Sequence, residues 1–369
     1  AAIGAFERAG MTDYVVCGSQ AEAQQAVESG RRAIVQDVDH LLALPVDVVV
    51  ESTGIAEAAA KHAAAAIDAG KHVAMVSKEA DATVGPILKR RADEAGLVYS
   101  AVDGDQHGLL IGLVLWARDL GLDVLCGGKA LASDLVYDPN ANTVSGGGRR
   151  AVDVADPSLF APGPPADAPA LVGARRQALG SLGAIQGYDI TEMTIVGNAT
   201  GLAPDTDELR CPVLRIPEIP EVLCPQEMGG ILTRRGVADC VTCLRGPYEA
   251  GLGGGVFVVV SCENDYSRHI LTSKGLISNS SDTAALVYRA YHLCGVETPM
   301  TLLTIGLLGA ATGAVEYMPR YDIVAHARED MRAGEIVGSD HSPMLRTMMR
   351  PGLPATSGNP IPLHMASGH

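Results

Sequence analysis

Apolar runs of strand length alternate with helix-forming segments over the first 130 residues. The strand patterns lie at 46–52, 71–77, 97–102 and 123–128. The helical patterns between them lie at 56–70, 82–96 and 107–121. Strand–helix–strand repeats of this length predict right-handed crossovers and a parallel sheet. The sequence therefore predicts an α/β fold with a doubly wound, Rossmann-like sheet.

The first residues predict one more strand, over 1–5, which would be the second strand of that sheet. We expect the first strand and its glycine-rich phosphate loop to precede residue 1, so the chain is expected to be truncated at this end. On this interpretation residues 6–8 follow the second strand, where an open sheet holds the adenosine ribose. Arg8 would there suit the 2′-phosphate of NADP.

The pattern changes after residue 130. Residues 131–170 are rich in Pro and Gly and have no period, which predicts a long loop or insertion. From 171 to 320 a strand at 253–262 and an apolar helix at 298–311 indicate an α+β region. Residues 321–340 predict a strand, a turn and another strand. We therefore expect a nucleotide-binding domain at 1–130, a catalytic and dimerisation domain at 131–320 that includes the insertion, and a third segment at 321–369.

The composition indicates what kind of core the protein has and which partners it is not expected to bind. Hydrophobic residues make up 47% of the chain but aromatics only 4%, so the core is aliphatic, which suits strands buried on both faces. The 43 acidic residues outnumber the 28 Lys and Arg, which argues against nucleic acid or an anionic membrane as a partner. Residues 299–315 are too short and too interrupted to span a bilayer. We expect a cytoplasmic protein, a homo-oligomer, that acts on a small molecule.

The eight cysteines predict buried free thiols of a reducing compartment. Cys240 and Cys243 form the one CxxC pair, and a zinc ribbon would need a second pair at similar spacing.

Small and polar residues end the predicted strands, at the edge where an open parallel sheet binds its ligand. Ser52, Thr53 and Gly54 follow the strand 46–52, and we expect a nicotinamide nucleotide to approach the backbone there; an ordinary helix N-cap is the alternative. Ser77, Lys78 and Glu79 follow the next strand, and we expect the cofactor to lie along these residues as well. Lys78 could bond a substrate oxygen or a nicotinamide ribose, or could be a solvated surface lysine.

Two further strand ends carry charged residues. Asp103 and Asp105 flank Gly104, and alternate carboxylates in a turn can hold Mg²⁺ or Mn²⁺, although an Asx turn explains them equally well. Lys129 follows two glycines at the end of the strand 123–128, an arrangement that can cradle a phosphate or carboxylate.

Several segments together resemble a known family. They are GKHVAMVSKEADATVGPIL, GLVYSAVDGDQHG, EMTIVGNATGLAPD, GGGVFVVV, YHLCGVETP and AREDMRAGEI. They look like the deoxyxylulose-phosphate-reductoisomerase-like oxidoreductases, whose members carry a homoserine-dehydrogenase-like cofactor domain and a C-terminal SAF domain. The resemblance implies hydride transfer with NAD or NADP, a divalent metal at Asp103 and Asp105, a motif lysine at Lys78 and the beginning of an SAF domain after residue 320. At position 105 the chain has Asp where reductoisomerases have Glu, and its single Trp, Trp116, lies in a predicted helix rather than a flap.

The second domain adds polar candidates. Glu192 and Asn198 lie six residues apart, which would put them on different faces of one helix although both could line a cleft. His292 could carry a proton. We expect Lys78, Asp103, Asp105, Lys129 and Glu192 to be catalytic in an NAD(P)-dependent reductase or reductoisomerase acting on a small sugar phosphate, polyol or hydroxy-carbonyl compound. The alternatives are a metal-free, homoserine-dehydrogenase-like alcohol dehydrogenase and a non-catalytic nucleotide-sensing or assembly module with an SAF domain.

Overall fold

The computed structural model describes residues 2–146, 148–336, 338, 342–352 and 362–366. In the first part of the chain, helices and strands alternate as predicted. The order is α1 (Ala2–Arg8), β1 (Tyr14–Val16), α2 (Gln20–Glu28), β2 (Arg32–Ile34), α3 (Val38–Leu42), β3 (Val48–Glu51), α4 (Ala56–Asp68), β4 (His72–Met75), α5 (Lys78–Glu94), β5 (Tyr99–Ala101), α6 (Gln106–Asp119) and β6 (Asp123–Ala130).

The remaining elements form the second half of the molecule. They are β7 (Leu135–Asp138), β8 (Thr143–Gly146), β9 (Arg149–Asp153), α7 (Ala168–Leu179), α8 (Gly187–Thr200), β10 (Ala203–Pro204), β11 (Val213–Leu214), α9 (Ile219–Val222), β12 (Val237–Arg245), β13 (Val256–Ser261), α10 (Asp265–Ser273), β14 (Ile277–Ser278), β15 (Ala285–Arg289), α11 (Thr298–Leu308), β16 (Tyr321–Ala327), β17 (Leu345–Pro351) and α12 (Leu363–Ala366). Within these described parts of the chain, no helix combines the length and apolarity that crossing a membrane requires.

The first part of the chain contains parallel, helix-covered strands, as predicted. Strands β3, β4 and β5 pair in parallel in that order, and β1 pairs in parallel with β2. Helices α4 and α5 pack together, and α11 packs against β3 and β4. Because β3, β4 and β5 run in the same direction, their carboxyl ends bring Gly54, Lys78 and Asp103 to one edge of the sheet.

Strand β6 exists where it was predicted, but it is not the fourth strand of this sheet. It pairs in parallel with β12 and antiparallel with β13, in the middle of the large sheet β14-β15-β13-β6-β12-β7-β8-β9. An apolar strand pattern predicts that a strand forms but not which strand it pairs with. The division into domains at residues 130 and 320 stays a prediction.

The expected loop at 131–170 contains three strands and the start of α7. Strands β7, β8 and β9 form an antiparallel meander. Its first turn is built by Asp138, whose carboxylate accepts a hydrogen bond from the backbone N–H of Asn140, and by Asn142, which has a φ of 51°. Asn and Asp in such turns are typical of hairpins. The Pro and Gly around them favoured a loop prediction, so the short strands were not predicted.

The predicted strand at residues 1–5 is wrong, because the described residues from Ala2 to Arg8 form helix α1. The ring of Phe6 on this helix stacks on Tyr14, with 5.5 Å between centroids. Tyr14 is the first residue of β1, so the end of α1 lies near the amino end of that strand. Arg8 therefore ends a helix instead of following a strand, and the NADP contact expected of it stays a prediction.

Helix α8 occupies the centre of the molecule and packs on α5, α6, β12, β16 and β17. It continues through Asn198, which bonds the backbone of Arg320 and Tyr321, whereas Glu192 faces a different neighbour. The two residues thus lie on different faces, as their spacing predicted. Strand β16 pairs antiparallel with β17, which lies beyond the segment 321–340 in which both strands were predicted. Residues 337, 339 and 340 of that segment lie outside the described structure. An SAF domain after residue 320 stays a prediction.

The eight cysteines are free thiols, six of them buried, as predicted. Cys240 and Cys243 lie three residues apart on β12, so their side chains point to opposite faces of the sheet and do not form a pair.

Candidate active site

Two lysines and two acids meet beside helix α8. Lys78 is the first residue of α5, which begins four residues earlier than predicted, and its Nζ lies 2.9 Å from Glu192 Oε1. Lys129, on β6, lies with its Nζ 2.8 Å from Asp189 Oδ1 and also bonds Glu192 Oε2. Asp189 and Glu192 are three residues apart on α8, which places both on the face toward β6. We call these four residues the lysine–acid cluster.

The cluster is buried and held by opposite charges. Lys129 is 1% exposed and Asp189 0%, whereas the side chain of Lys78 keeps 26% of its surface exposed. Burial by itself opposes ionisation of Glu192, but the charges of Lys129 and Lys78 outweigh it and lower the pKa of Glu192 to about 2. Burial likewise opposes the charge on Lys129, but Glu192 and Asp189 raise its pKa above the ordinary value.

Lys78 is the member of the cluster that is accessible. Burial favours its neutral form, but the charge and the hydrogen bond of Glu192 dominate and raise its pKa. Its ammonium therefore persists at neutral pH and still reaches the open edge of the sheet. A lysine held in this way can donate a proton to a ligand oxygen.

The ring of Tyr188 lies beside both ammonium groups. Its centroid is 5.2 Å from Lys78 Nζ and 5.6 Å from Lys129 Nζ, within the range of a cation–π contact. Burial and the nearby Asp189 raise the pKa of its hydroxyl. Tyr188 thus forms a wall of the cluster.

The loops that end β3 and β4 are joined through Glu51. This buried carboxylate accepts a hydrogen bond from Ser77 Oγ and one from Thr53 Oγ1 at 2.8 Å. Ser77 Oγ also accepts a bond from the backbone N–H of Gly54 at 2.9 Å. The hydrogen bonds of Ser77 therefore hold the two strand ends together, while Ser52, Thr53 and Gly54 are exposed. Glu79, also expected to contact the cofactor, lies half-buried in the first turn of α5.

Asp103 and Asp105 turn toward residues 289–297. Burial and the charge of Glu297 raise the pKa of Asp103, while Arg289 opposes them. Asp105 Oδ1 accepts a hydrogen bond from the thiol of Cys294 at 3.2 Å. Among the described residues, no group of three or more His, Cys, Asp or Glu side chains is arranged to hold a metal ion.

Gly104, between the two acids, has a φ of 98°, and a Cβ there would lie 2.8 Å from the carbonyl oxygen of Leu293. Glycine is thus required at this turn, which permits the close approach of the 289–297 segment.

Three residues of this region were not singled out from the sequence: Asp189, Tyr188 and Glu51. Asp189 was detectable, because it lies one helical turn before Glu192, and Tyr188 is its neighbour. Glu51 was detectable as a charged residue at the end of an apolar strand. His107 is 1% exposed, and its ring nitrogens have no hydrogen-bond partner within the described structure. His292, considered as a proton carrier, instead lies with Nδ1 2.6 Å from the carbonyl oxygen of Gly254.

Comparison with solved structures gives distant similarities. Bacillus subtilis yvaA, described as an oxidoreductase, is 15% identical with a TM-score of 0.31, and the alignment covers 84% of this chain and 83% of that one. An oxidoreductase from Bacillus cereus is 14% identical with a TM-score of 0.32, covering 81% and 82%. The 1-deoxy-D-xylulose 5-phosphate reductoisomerase of Zymomonas mobilis, in complex with NADPH, is 17% identical with a TM-score of 0.27, covering 53% and 46%.

Two family models match separate parts of the chain. The NAD binding domain of homoserine dehydrogenase matches residues 7–99, which contain β3, β4 and the loops at their ends. The catalytic domain of oxidoreductase DRL matches residues 188–298, which begin at Tyr188 and include Glu192. A search of the curated proteins finds no significant match. Because one matching model is an NAD-binding domain and the other the catalytic domain of an oxidoreductase, this chain is an NAD(P)-dependent oxidoreductase.

Proposed function

We propose that this protein transfers a hydride between a nicotinamide nucleotide and a small hydroxy-carbonyl or polyol compound, as a reductase or reductoisomerase. The observation that carries the proposal is the lysine–acid cluster. It places the ammonium group of Lys78, which remains protonated at neutral pH, at the carboxyl edge of β4. Cofactor and proton donor would therefore meet at one edge of the sheet.

The loop after β3 fits a nicotinamide nucleotide. Gly54 has a φ of 67°, and a Cβ added to it would meet no atom within 4 Å, so space is open beside its backbone. The N-cap of α4, Ile55, provides no side-chain hydrogen bond to the first turn of that helix. We propose that Ser52, Thr53 and Gly54 hold the cofactor, NAD or NADP. When bound, the cofactor supplies or accepts the hydride.

Lys78 handles the proton of the reaction. When hydride adds to a carbonyl carbon, the C=O π electrons move to the oxygen, which becomes an alkoxide. Lys78 Nζ gives that oxygen a proton and keeps the electron pair of its N–H bond. Lys129 has a different role, since it is buried between two carboxylates and fixes Glu192.

No step of this mechanism is assigned to a metal, since no third His, Cys, Asp or Glu among the described residues joins Asp103 and Asp105 in a group that could hold one. Asp103 and Asp105 face different partners in the 289–297 segment, as described above. This arrangement favours the metal-free, homoserine-dehydrogenase-like version of the reaction. A need for Mg²⁺ or Mn²⁺ at Asp103 and Asp105, implied by the reductoisomerase resemblance, stays a prediction.

Substitution of Lys78 tests the proposal. Lys78→Met should lower turnover of the substrate by about 10²–10³-fold, because the developing oxyanion loses its charged donor. The matched control is Lys61→Met, which removes a lysine whose side chain is 73% exposed on α4. Turnover, thermal stability and cofactor affinity are measured for both variants, with and without EDTA. Near-normal turnover of Lys78→Met would refute the role of Lys78, and loss of wild-type activity in EDTA that Mn²⁺ restores would refute the metal-free version.

A further inference from the structure

A cavity of about 250 Å³ adjoins the lysine–acid cluster. Its wall includes Leu131, Ser133, Leu182, Ala184, Gln186 and Tyr188, and we call it the Tyr188 cavity. A larger cavity of about 680 Å³ lies elsewhere, around Arg215 and Ile277, and no residue of the cluster lines it. Of these two cavities, the Tyr188 cavity is the one lined by a residue that contacts the cluster.

We infer that the Tyr188 cavity binds the non-reacting part of the substrate and that this part is uncharged. The inference rests on the proposed hydride transfer. It deepens that proposal by selecting neutral polyols and hydroxyketones and excluding their phosphate esters.

The cavity lies next to the cluster, because residues that line it are neighbours of cluster residues along the chain. Leu131 follows Lys129 by two residues along the path of β6, and Tyr188 directly precedes Asp189. The ring of Tyr188 lies beside both ammonium groups and also lines the cavity. A substrate whose oxygen meets Lys78 would thus extend along this ring into the cavity. A volume of 250 Å³ equals that of roughly eight liquid water molecules, enough for a tail of a few carbon atoms.

The charges in this region determine what the cavity accepts. The described side chains that line it include no Asp, Glu, Lys, Arg or His. The two ammonium groups of the cluster are matched by two carboxylates, so they offer no net positive charge to an anion. Among the described side chains, a phosphate placed here would find no unpaired cation in exchange for its lost water, which is costly. Hydroxyl groups can instead bond the side chains of Ser133 and Gln186.

Paired substrates test this selection. Dihydroxyacetone and erythrulose are compared with dihydroxyacetone phosphate and erythrulose 4-phosphate, by turnover with NADH and NADPH and by saturation-transfer NMR of binding. We expect kcat/KM for each neutral compound to exceed that of its phosphate at least about tenfold, since a desolvated, unpaired charge costs several kcal/mol. Equal or better turnover of the phosphates would overturn the inference. Absence of turnover with all four compounds would instead count against the proposed hydride transfer, and the NMR comparison would still decide which compounds the cavity accepts.

Substitutions at Ala184 test the location. Ala184→Trp should fill the cavity and raise KM for erythrulose at least about tenfold while leaving cofactor affinity unchanged, whereas Ala184→Ser should behave like the wild type. Ala184→Arg adds the missing cation and should shift the preference toward the phosphates. The location is wrong if the Trp variant keeps its erythrulose KM and the Arg variant keeps its preference for the neutral compounds.

Discussion

Replacing Glu192 with Gln should reveal how strongly the lysine–acid cluster stabilises the fold. The pKa of Glu192 is lowered from 4.5 to about 2. At about 1.4 kcal/mol per pKa unit, this difference corresponds to about 3 kcal/mol in favour of the ionised carboxylate. Glu192→Gln keeps the shape of the side chain but removes its charge, leaving Lys78 unpaired and Lys129 with Asp189 alone. We therefore expect the variant to lose about 3 kcal/mol of unfolding free energy near neutral pH.

The pH dependence gives the sharper test. Because the folded-state pKa is below the unfolded value, the stabilisation is complete above about pH 4.5 and is lost as the pH falls toward 2. The difference between wild type and variant in equilibrium urea unfolding should thus shrink between about pH 7 and pH 3. The control is Glu94→Gln, whose carboxylate is 71% exposed and 3.9 Å from Arg90, and which should change stability by less than about 1 kcal/mol. A Glu192→Gln difference that is absent, or equal at both pH values, would refute this reasoning.

Two further predictions concern the cofactor loop and a buried acid. Gly54→Val should weaken binding of NADPH or NADH, measured by fluorescence titration, by at least about tenfold, because its side chain would occupy the open space beside the backbone. Gly96→Val, at a similar φ of 69°, carries the same backbone strain away from that loop, and equal affinities of the two variants would contradict the cofactor position. Burial raises the pKa of Asp239 to about 6 although three backbone N–H groups bond it, so the wild type should lose stability as the pH rises from about 4 to 6. Asp239→Asn keeps an acceptor oxygen. In urea unfolding above about pH 6 it should be more stable than the wild type by up to about 3 kcal/mol. A variant less stable than the wild type at both about pH 4 and about pH 6 would contradict the raised pKa of Asp239.

The sequence predicted well what depends on local pattern and on the rules of parallel sheets. The strands β3, β4 and β5 and their helices follow from apolar runs and helix-ending glycines. The positions of Gly54 and Lys78 at one edge follow because parallel strands end together. Glu192 was named as a residue that could line a cleft, and the structure brings it into contact with Lys78.

The remaining features depend on contacts between distant parts of the chain. Lys129 and Glu192 are separated by 63 residues, and nothing local to either one specifies their pairing. The placement of β6 beside β12 and β13 is equally non-local. Asp103 and Asp105 looked like a metal site because they flank a glycine, but the segment that they contact is about 190 residues later in the chain. Each of these required the tertiary structure.

Because Glu192 contacts residues of two sheets, the acidity of Lys78 depends on how α5 lies relative to α8. Its two oxygens hold Lys78, which follows a strand of the nucleotide-binding sheet, and Lys129, which belongs to the large sheet. If α5 moved away from α8, solvent would separate Lys78 from Glu192 and the pKa of Lys78 would fall. Lys129 would keep its contacts with both carboxylates. The acidity of Lys78 would then depend on the distance between α5 and α8.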